Sequence, residues 1–253
     1  MGRIGGAAVA VAVSLAACGR VGFDDHADAR AGAHDSARAI DAARRPADGS
    51  GAGSATVAVV QIVCGAPGPG SNAFTLAVTA AAAADDLGVI AFEDDPPTAL
   101  DSLTDDGSAN WMKLGETQGN AGEVLYATPI PQATTTITLQ VASEQDCACY
   151  YEVSGIDLSN PVDDADAGGG TATAGTLPGA RVVTTAASDF VVAVADSAED
   201  VEGIDPGNDF TEDSALETDG HAHLVTTASG IYQPVWDVPG GTYSTYSAAF
   251  RGR

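Results

Sequence analysis

The chain has 253 residues, with 35 Asp and Glu against 10 Lys and Arg, for a formal net charge of −25. Phosphate recognition needs clustered Lys and Arg, so this balance sets nucleic acid aside as a partner. A self-repelling acidic surface that resists aggregation is the simplest reading of the charge.

In chain order, Arg3 is followed by positions 4–17, which carry no charge and only Ser14 as a strongly polar residue. At about 1.5 Å per residue such a run extends roughly 21 Å, short of the hydrocarbon core of a bilayer. It reads as an export signal rather than a span. An ordinary secretory signal ends at a small-x-small site with no special residue after it, whereas here Leu15, Ala16 and Ala17 lead directly into Cys18. This arrangement resembles the lipobox of bacterial lipoprotein signals. The resemblance implies a diacylglycerol on the Cys18 sulfur, cleavage after Ala17 and acylation of the new amino group. Each buried methylene contributes about 0.8 kcal/mol, so several acyl chains make a durable membrane anchor. Gly19, in place of the Asp that often holds such proteins at the inner membrane, points to the outer membrane.

Positions 18–53 are dominated by Ala, Asp, Arg, Gly and Ser, with Phe23 the only aromatic. Too little apolar surface is present to offset ordering entropy, so this stretch reads as a disordered tether, with His26 and His34 solvated. The Pro and Gly breakers in RRPADGSGAGSA place a boundary near Ser54 and a single domain over 54–253.

Within that domain short apolar runs recur between Gly, Pro, Asn, Asp and Ser, among them TVAVVQIVC, LGVIAFE, TTTITLQVA, CACYYEVSG and DFVVAVAD. In TTTITLQVA, Ile137, Leu139 and Val141 alternate with Thr136, Thr138 and Gln140, the period of a half-buried strand. The expected fold is all-β, an antiparallel β-sandwich of jelly-roll or immunoglobulin-like form, with a barrel as the competing closure. Asp106, Asn110 and Trp111, then Glu152, Ser154 and Gly155, then Asn160 and Pro161, and finally Ala248, Ala249 and Phe250 occur in an order that resembles a module of secreted and surface-attached bacterial proteins. The resemblance implies turns and strands and no catalytic residue.

With Cys18 lipidated, Cys64, Cys147 and Cys149 remain. Cys147 and Cys149 share one face of a strand, roughly 6.6 Å apart at extended rise, an awkward separation for a bond between them. A disulfide from Cys64 to one of the two is expected, leaving the other as a buried thiol. The CAC and HAH pairs, Cys147 with Cys149 and His221 with His223, would also suit zinc or cuprous copper if their strands met, although a disulfide competes for the thiols.

The acids offer a second metal reading, structural calcium held by loop oxygens. Candidate loops are NPVDDADAGGG with Asp163, Asp164 and Asp166, and EGIDPGNDFTED with Asp205, Asn208 and Asp209, neither with EF-hand spacing. No nucleophile elbow, zinc-protease helix or phosphate loop occurs in the sequence, so the domain is expected not to be an enzyme. Its expected role is a lipid-anchored envelope protein whose domain is an interaction or structural module, with loops that contact a protein partner or the cell envelope. The alternative is a carbohydrate-binding module that stacks sugars on exposed aromatics. Trp236, between turn residues in IYQPVWDVPGG, and Tyr232 are the best outward candidates.

Overall fold

A computed structural model describes residues 56–79, 82–93, 100–117, 122–141, 146–205, 207–216 and 218–253. The signal at 1–17, Cys18 and the segment 18–53 lie outside the described residues. The strands, in chain order, are β1 (Ala58–Gly65), β2 (Ala73–Ala77), β3 (Leu87–Glu93), β4 (Ser102–Asp105), β5 (Met112–Glu116), β6 (Gly122–Ala127), β7 (Thr136–Gln140) and β8 (Cys147–Ser154). They continue with β9 (Val162–Pro178), β10 (Val182–Thr184), β11 (Phe190–Ser197), β12 (Gly203–Ile204), β13 (Thr211–Leu216), β14 (Asp219–Val225), β15 (Gly230–Tyr232) and β16 (Val235–Phe250). There is no helix among the described residues.

Two antiparallel sheets form the centre. One has the order β1-β8-β3-β6-β5; the other runs β12-β16-β11-β14-β13, with β9 along the free side of β16. They stack with β3 over β11, β6 over β16, and β1 and β8 over β13. Val89, Ala91, Cys149, Tyr151 and Val153 meet Phe190, Val192, Val194, Ala248 and Phe250 between them. Ring contacts run through this layer: Tyr151 to Phe190 at 5.5 Å, Phe190 to Phe250 at 6.2 Å and Phe250 to Tyr126 at 5.7 Å between centroids.

Both outer faces are also covered. A three-stranded sheet, β2-β7-β4, lays Phe74, Leu76, Ile137 and Leu139 over Ile90, Phe92 and Tyr150. On the opposite side, Leu177, Val182, Val201 and Phe210 close over Val191, Ala193, Trp236 and Val238. Every residue of β3 is therefore buried, which explains the unbroken apolar run LGVIAFE: a strand covered on both faces loses its alternation. β7, in an outer layer, keeps it, with Ile137 and Leu139 fully buried and Gln140 exposed.

Two segments read as loops are strands. NPVDDADAGGG opens the long β9, paired with β16 from Val162↔Phe250 to Pro178↔Val235 with a register shift at Asp163. The Pro and Gly of QPVWDVPGG likewise do not break β16. Pro239 sits after β16 has passed its contact with β12 at Trp236 and Asp237, and before β11 pairs at Tyr243. One edge has no ladder there, so a residue without an N–H is tolerated.

The last residues are tied down. The Arg251 amide donates to the Pro161 carbonyl at 2.7 Å, the Gly252 amide to Asp189 Oδ1 at 2.8 Å and the Arg253 amide to the Gly155 carbonyl at 3.0 Å. Gly155 holds φ +83°, and a Cβ there would lie 2.6 Å from the Thr56 carbonyl oxygen. Gly155→Ala is expected to destabilise the domain by about 1–3 kcal/mol, read as a lower urea midpoint. An unchanged midpoint would show that the turn does not need glycine.

Candidate functional site

Cys149 on β8 lies opposite Cys64 on β1, and the two are bonded with their Cα atoms 4.1 Å apart. Cys147, two residues along the same face of β8, is a buried thiol. Across the sheet interface, His221 and His223 face inward because they pair with Val194 and Val192, whose side chains fill the inter-sheet core. The topology thus brings the CAC and HAH pairs to one interface.

Residues that sequence spacing did not single out complete the cluster. β13 bulges between Glu212 and Ser214, so Asp213 is an extra residue in the ladder. Its carboxylate takes the Tyr151 hydroxyl at 2.8 Å and faces His223 Nδ1 at 2.7 and 2.9 Å. The neighbouring Ser214 hydroxyl stands 3.9 Å from Cys147 Sγ, and the Asp213 carbonyl 4.0 Å from Cys64 Sγ. A bulge leaves no periodic trace in a six-residue strand, which is why Asp213 and Ser214 were illegible in the sequence.

The two histidines differ in setting. His223 is held through Nδ1 by Asp213, an orientation that presents Nε2 as the lone-pair nitrogen when Nδ1 donates. His221 is fully buried; burial pushes its pKa down to about 4, against a raising influence from the Ala91 backbone. Neither of its ring nitrogens reaches hydrogen-bond geometry with a protein group. The Ala91 backbone acts on the ring as an electrostatic neighbour. Burial raises the Asp213 carboxyl, opposed by its bonds to His223 and Tyr151, and burial together with Asp213 pushes the Tyr151 phenol well above its ordinary range. The cluster therefore combines a neutral buried imidazole, a thiol and a disulfide, with an oriented Asp–His pair beside them.

The acids proposed as calcium loops do not converge. Asp163 is the extra residue of a bulge on β9, and it and Asp164 are both taken up by the neighbouring segment, at Thr185 and Val183. Asp163 pairs with Arg251 and accepts the Thr185 hydroxyl at 2.6 Å, while Asp164 accepts the Val183 amide at 2.7 Å and Asp166 the Ala167 amide at 3.0 Å. Calcium at Asp163 would have to displace Arg251. Asp205 and Asn208 close their own turns onto the Gly207 and Phe210 amides at 2.7 and 3.1 Å, and Asp209 is exposed beside them.

Trp236 is not an outward aromatic. It is fully buried on β16, against Val201 and at a spot where a Cβ on Gly220 would come within 2.7 Å of its ring. The flanking prolines suggested an exposed turn, but the pairing of β16 with β9 and β12 carries the indole under the outer layer. Tyr232 is half-buried, its hydroxyl donating to the Ala228 carbonyl at 2.7 Å. Among the residues of the module-like pattern, Asp106 accepts the Thr135 and Thr136 amides, and the Trp111 indole donates to Asp105 at 2.9 Å. Glu152 accepts the Ala83 amide at 2.9 Å. These are turn and packing roles.

No family model, curated protein or solved structure matches the chain.

The Asp163–Arg251 pair adjoins Asp189, which is buried and holds the Gly252 amide. Burial pushes the Asp189 carboxyl from 3.8 up to about 6, with the Gly252 amide opposing and Asp163 adding to the rise. Burial would also raise Asp163, but the Thr185 and Arg251 bonds outweigh it and hold that carboxyl below its ordinary value. The folded state therefore binds the Asp189 proton more tightly than the unfolded chain. Its contribution is present below 3.8 and is lost as pH rises through about 6. Asp163 acts oppositely, its contribution being lost only as pH falls below 3.8. Asp189→Asn keeps an acceptor for Gly252 without the charge. The variant is expected to melt above the wild type at neutral pH, with the gap closing as pH falls toward 3.8; a lower Tm at neutral pH would show that Asp189 is needed as a carboxylate.

Proposed function

We propose that the chain is a lipid-anchored protein of the bacterial cell envelope, attached at the outer membrane through Cys18 and presenting its all-β domain as a non-catalytic interaction or structural module. The observation that carries this reading is the uncharged run at 4–17 closing on Leu15, Ala16, Ala17 and Cys18. Cleavage after Ala17 leaves Cys18 as the first residue, and its acyl chains supply the membrane affinity. The Cys64–Cys149 bond supports export, since disulfides persist in oxidising compartments.

A protein partner is favoured over a sugar by what is exposed. The large apolar residues on the described surface are Val60, Val183 and Ile231, and none is aromatic. Val183 and Ile231 are cross-strand partners on β10 and β15, with Ile231 61% exposed, so they form one small apolar step on an otherwise acidic surface. Stacking on a sugar ring needs an exposed aromatic face, and burial removes Trp236 from that role.

In a bacterial host fed labelled palmitate, the wild-type chain is expected to incorporate label and enter the detergent phase on Triton X-114 partition. Cys18→Ser should accumulate as an unlabelled precursor that retains positions 1–17. Mature, membrane-bound protein from that variant would overturn the proposal.

A further inference from the structure

The inter-sheet cluster contains an unexplained group. His221 is completely buried, yet neither ring nitrogen has a hydrogen-bond partner among protein groups. An unsatisfied buried polar group costs roughly 1–3 kcal/mol, and native interiors rarely carry one without a reason.

What lies around the ring suggests the reason. Ser214 is the ladder partner of His221, and its hydroxyl meets Cys147 Sγ at 3.9 Å. On the facing sheet, Ala91, whose backbone acts on the His221 imidazole, is the ladder partner of Cys149. Cys149 is in turn bonded to Cys64. Three sulfurs and one neutral imidazole therefore occupy a single stretch of the interface, supplied by β1, β8 and β14. His223 sits one ladder step further along, beside Tyr151 and tied to Asp213.

We propose that Cys64, Cys147, Cys149 and His221 form a zinc site that alternates with the Cys64–Cys149 disulfide: oxidised, the cluster holds the bond; reduced, it holds the metal. Three thiolates and one imidazole are an established tetrahedral donor set for zinc. In the oxidised chain the bond withdraws two of the four donors. Two thiols, oxidised to a disulfide, or a phosphine with water, oxidised to the phosphine oxide, supply two electrons and two protons, which break the S–S bond into two thiols. Zinc then displaces three thiol protons and takes the lone pair of His221. Oxidation by a disulfide reverses the sequence: two electrons pass from the Cys64 and Cys149 sulfurs to that disulfide, which leaves as two thiols, while zinc departs and Cys147 regains its proton. The site does not depend on the lipid anchor, since its residues all lie in the β-domain.

The test uses the full chain in detergent, freed of metal, with and without phosphine reduction under argon, titrated with zinc chloride against a chromophoric chelator. The reduced wild type is expected to bind one zinc per chain, and the oxidised form none in competition with the chelator. Cys147→Ser and His221→Gln should each weaken binding by at least the roughly 10–100-fold that loss of an outer-shell partner costs, whereas His223→Gln should leave it unchanged. Cobalt in place of zinc should give the visible bands of a tetrahedral thiolate site. Folding of the variants is checked by circular dichroism. If they do not fold, alkylation of the reduced wild type decides: zinc should protect Cys64, Cys147 and Cys149 together. Equal zinc binding before and after reduction, unchanged affinity in both ligand variants, or alkylation of Cys147 undiminished by zinc would each overturn the proposal.

Discussion

The domain depends on burial of its central strands from both sides. β3, β8 and β11 have the inter-sheet core on one face and an outer layer on the other, so their side chains are removed from water whichever way they point. Apolar burial contributes about 25 cal/mol per Å², and a strand covered on both faces collects it from every residue rather than from alternate ones. This places the outer pieces under constraint. β2, β4 and β7 are short, and β10 and β15 have three residues each, yet without them Ile90, Phe92 and Trp236 would face water. The outer layers are thus part of the core and not decoration on a finished sandwich.

Such a core makes polar residues inside it conspicuous. Tyr151, Asp213 and His223 satisfy one another, and Glu152 is matched by the Ala83 amide and by Gln61, which in turn accepts the Thr79 hydroxyl. In a low-dielectric interior a fully paired network fixes the alignment of the elements it joins, while an unpaired member is costly. The first network ties β8 to β13 and β14, and so locks the register of the two sheets across the interface. The Cys64–Cys149 bond ties β1 to β8 within the same region, and restricts the unfolded chain by closing a long loop. Order in this corner of the domain is therefore set by directional bonds as well as by packing.

Much of the acidity has a local structural use. Asp105, Asp157 and Asp205 each accept the amide two residues onward, at Gly107, Ser159 and Gly207, the Asx-turn geometry that reverses a chain at little cost. Asp105 also collects the Ala109 amide, the Trp111 indole and the Thr134 hydroxyl, so one carboxylate organises the whole turn between β4 and β5. A protein built from many short strands needs many turns, and aspartate is an economical residue for them. Other acids are buried, among them Asp86, Glu93, Asp146 and Asp219, while those on the surface repel like-charged copies of the chain.

The sequence by itself determined the things that depend on neighbours along the chain. The uncharged run before Cys18, the composition of 18–53, the strand-and-turn rhythm after Ser54 and the alternation in β7 all follow from residue type and local spacing. The disulfide was half legible: Cys64 had to find one of two cysteines on one strand face, and only the register of β1 against β8 selected Cys149. Tertiary structure decided the rest. Pro and Gly around Trp236 signal a turn locally, but pairing over sixteen residues with β9 outweighs that preference and carries the indole inside. The acids of NPVDDADAGGG resemble a cation loop until the fold places them on β9, where Arg251 and Thr185 occupy Asp163 and the Val183 amide occupies Asp164. Asp213 enters the core through a bulge, and Ser214, the ladder partner of His221, meets Cys147 only because two strands far apart in sequence are stacked by the packing of their sheets. Contacts between sheets are set by how layers fit together in three dimensions, and no spacing along the chain encodes that distance.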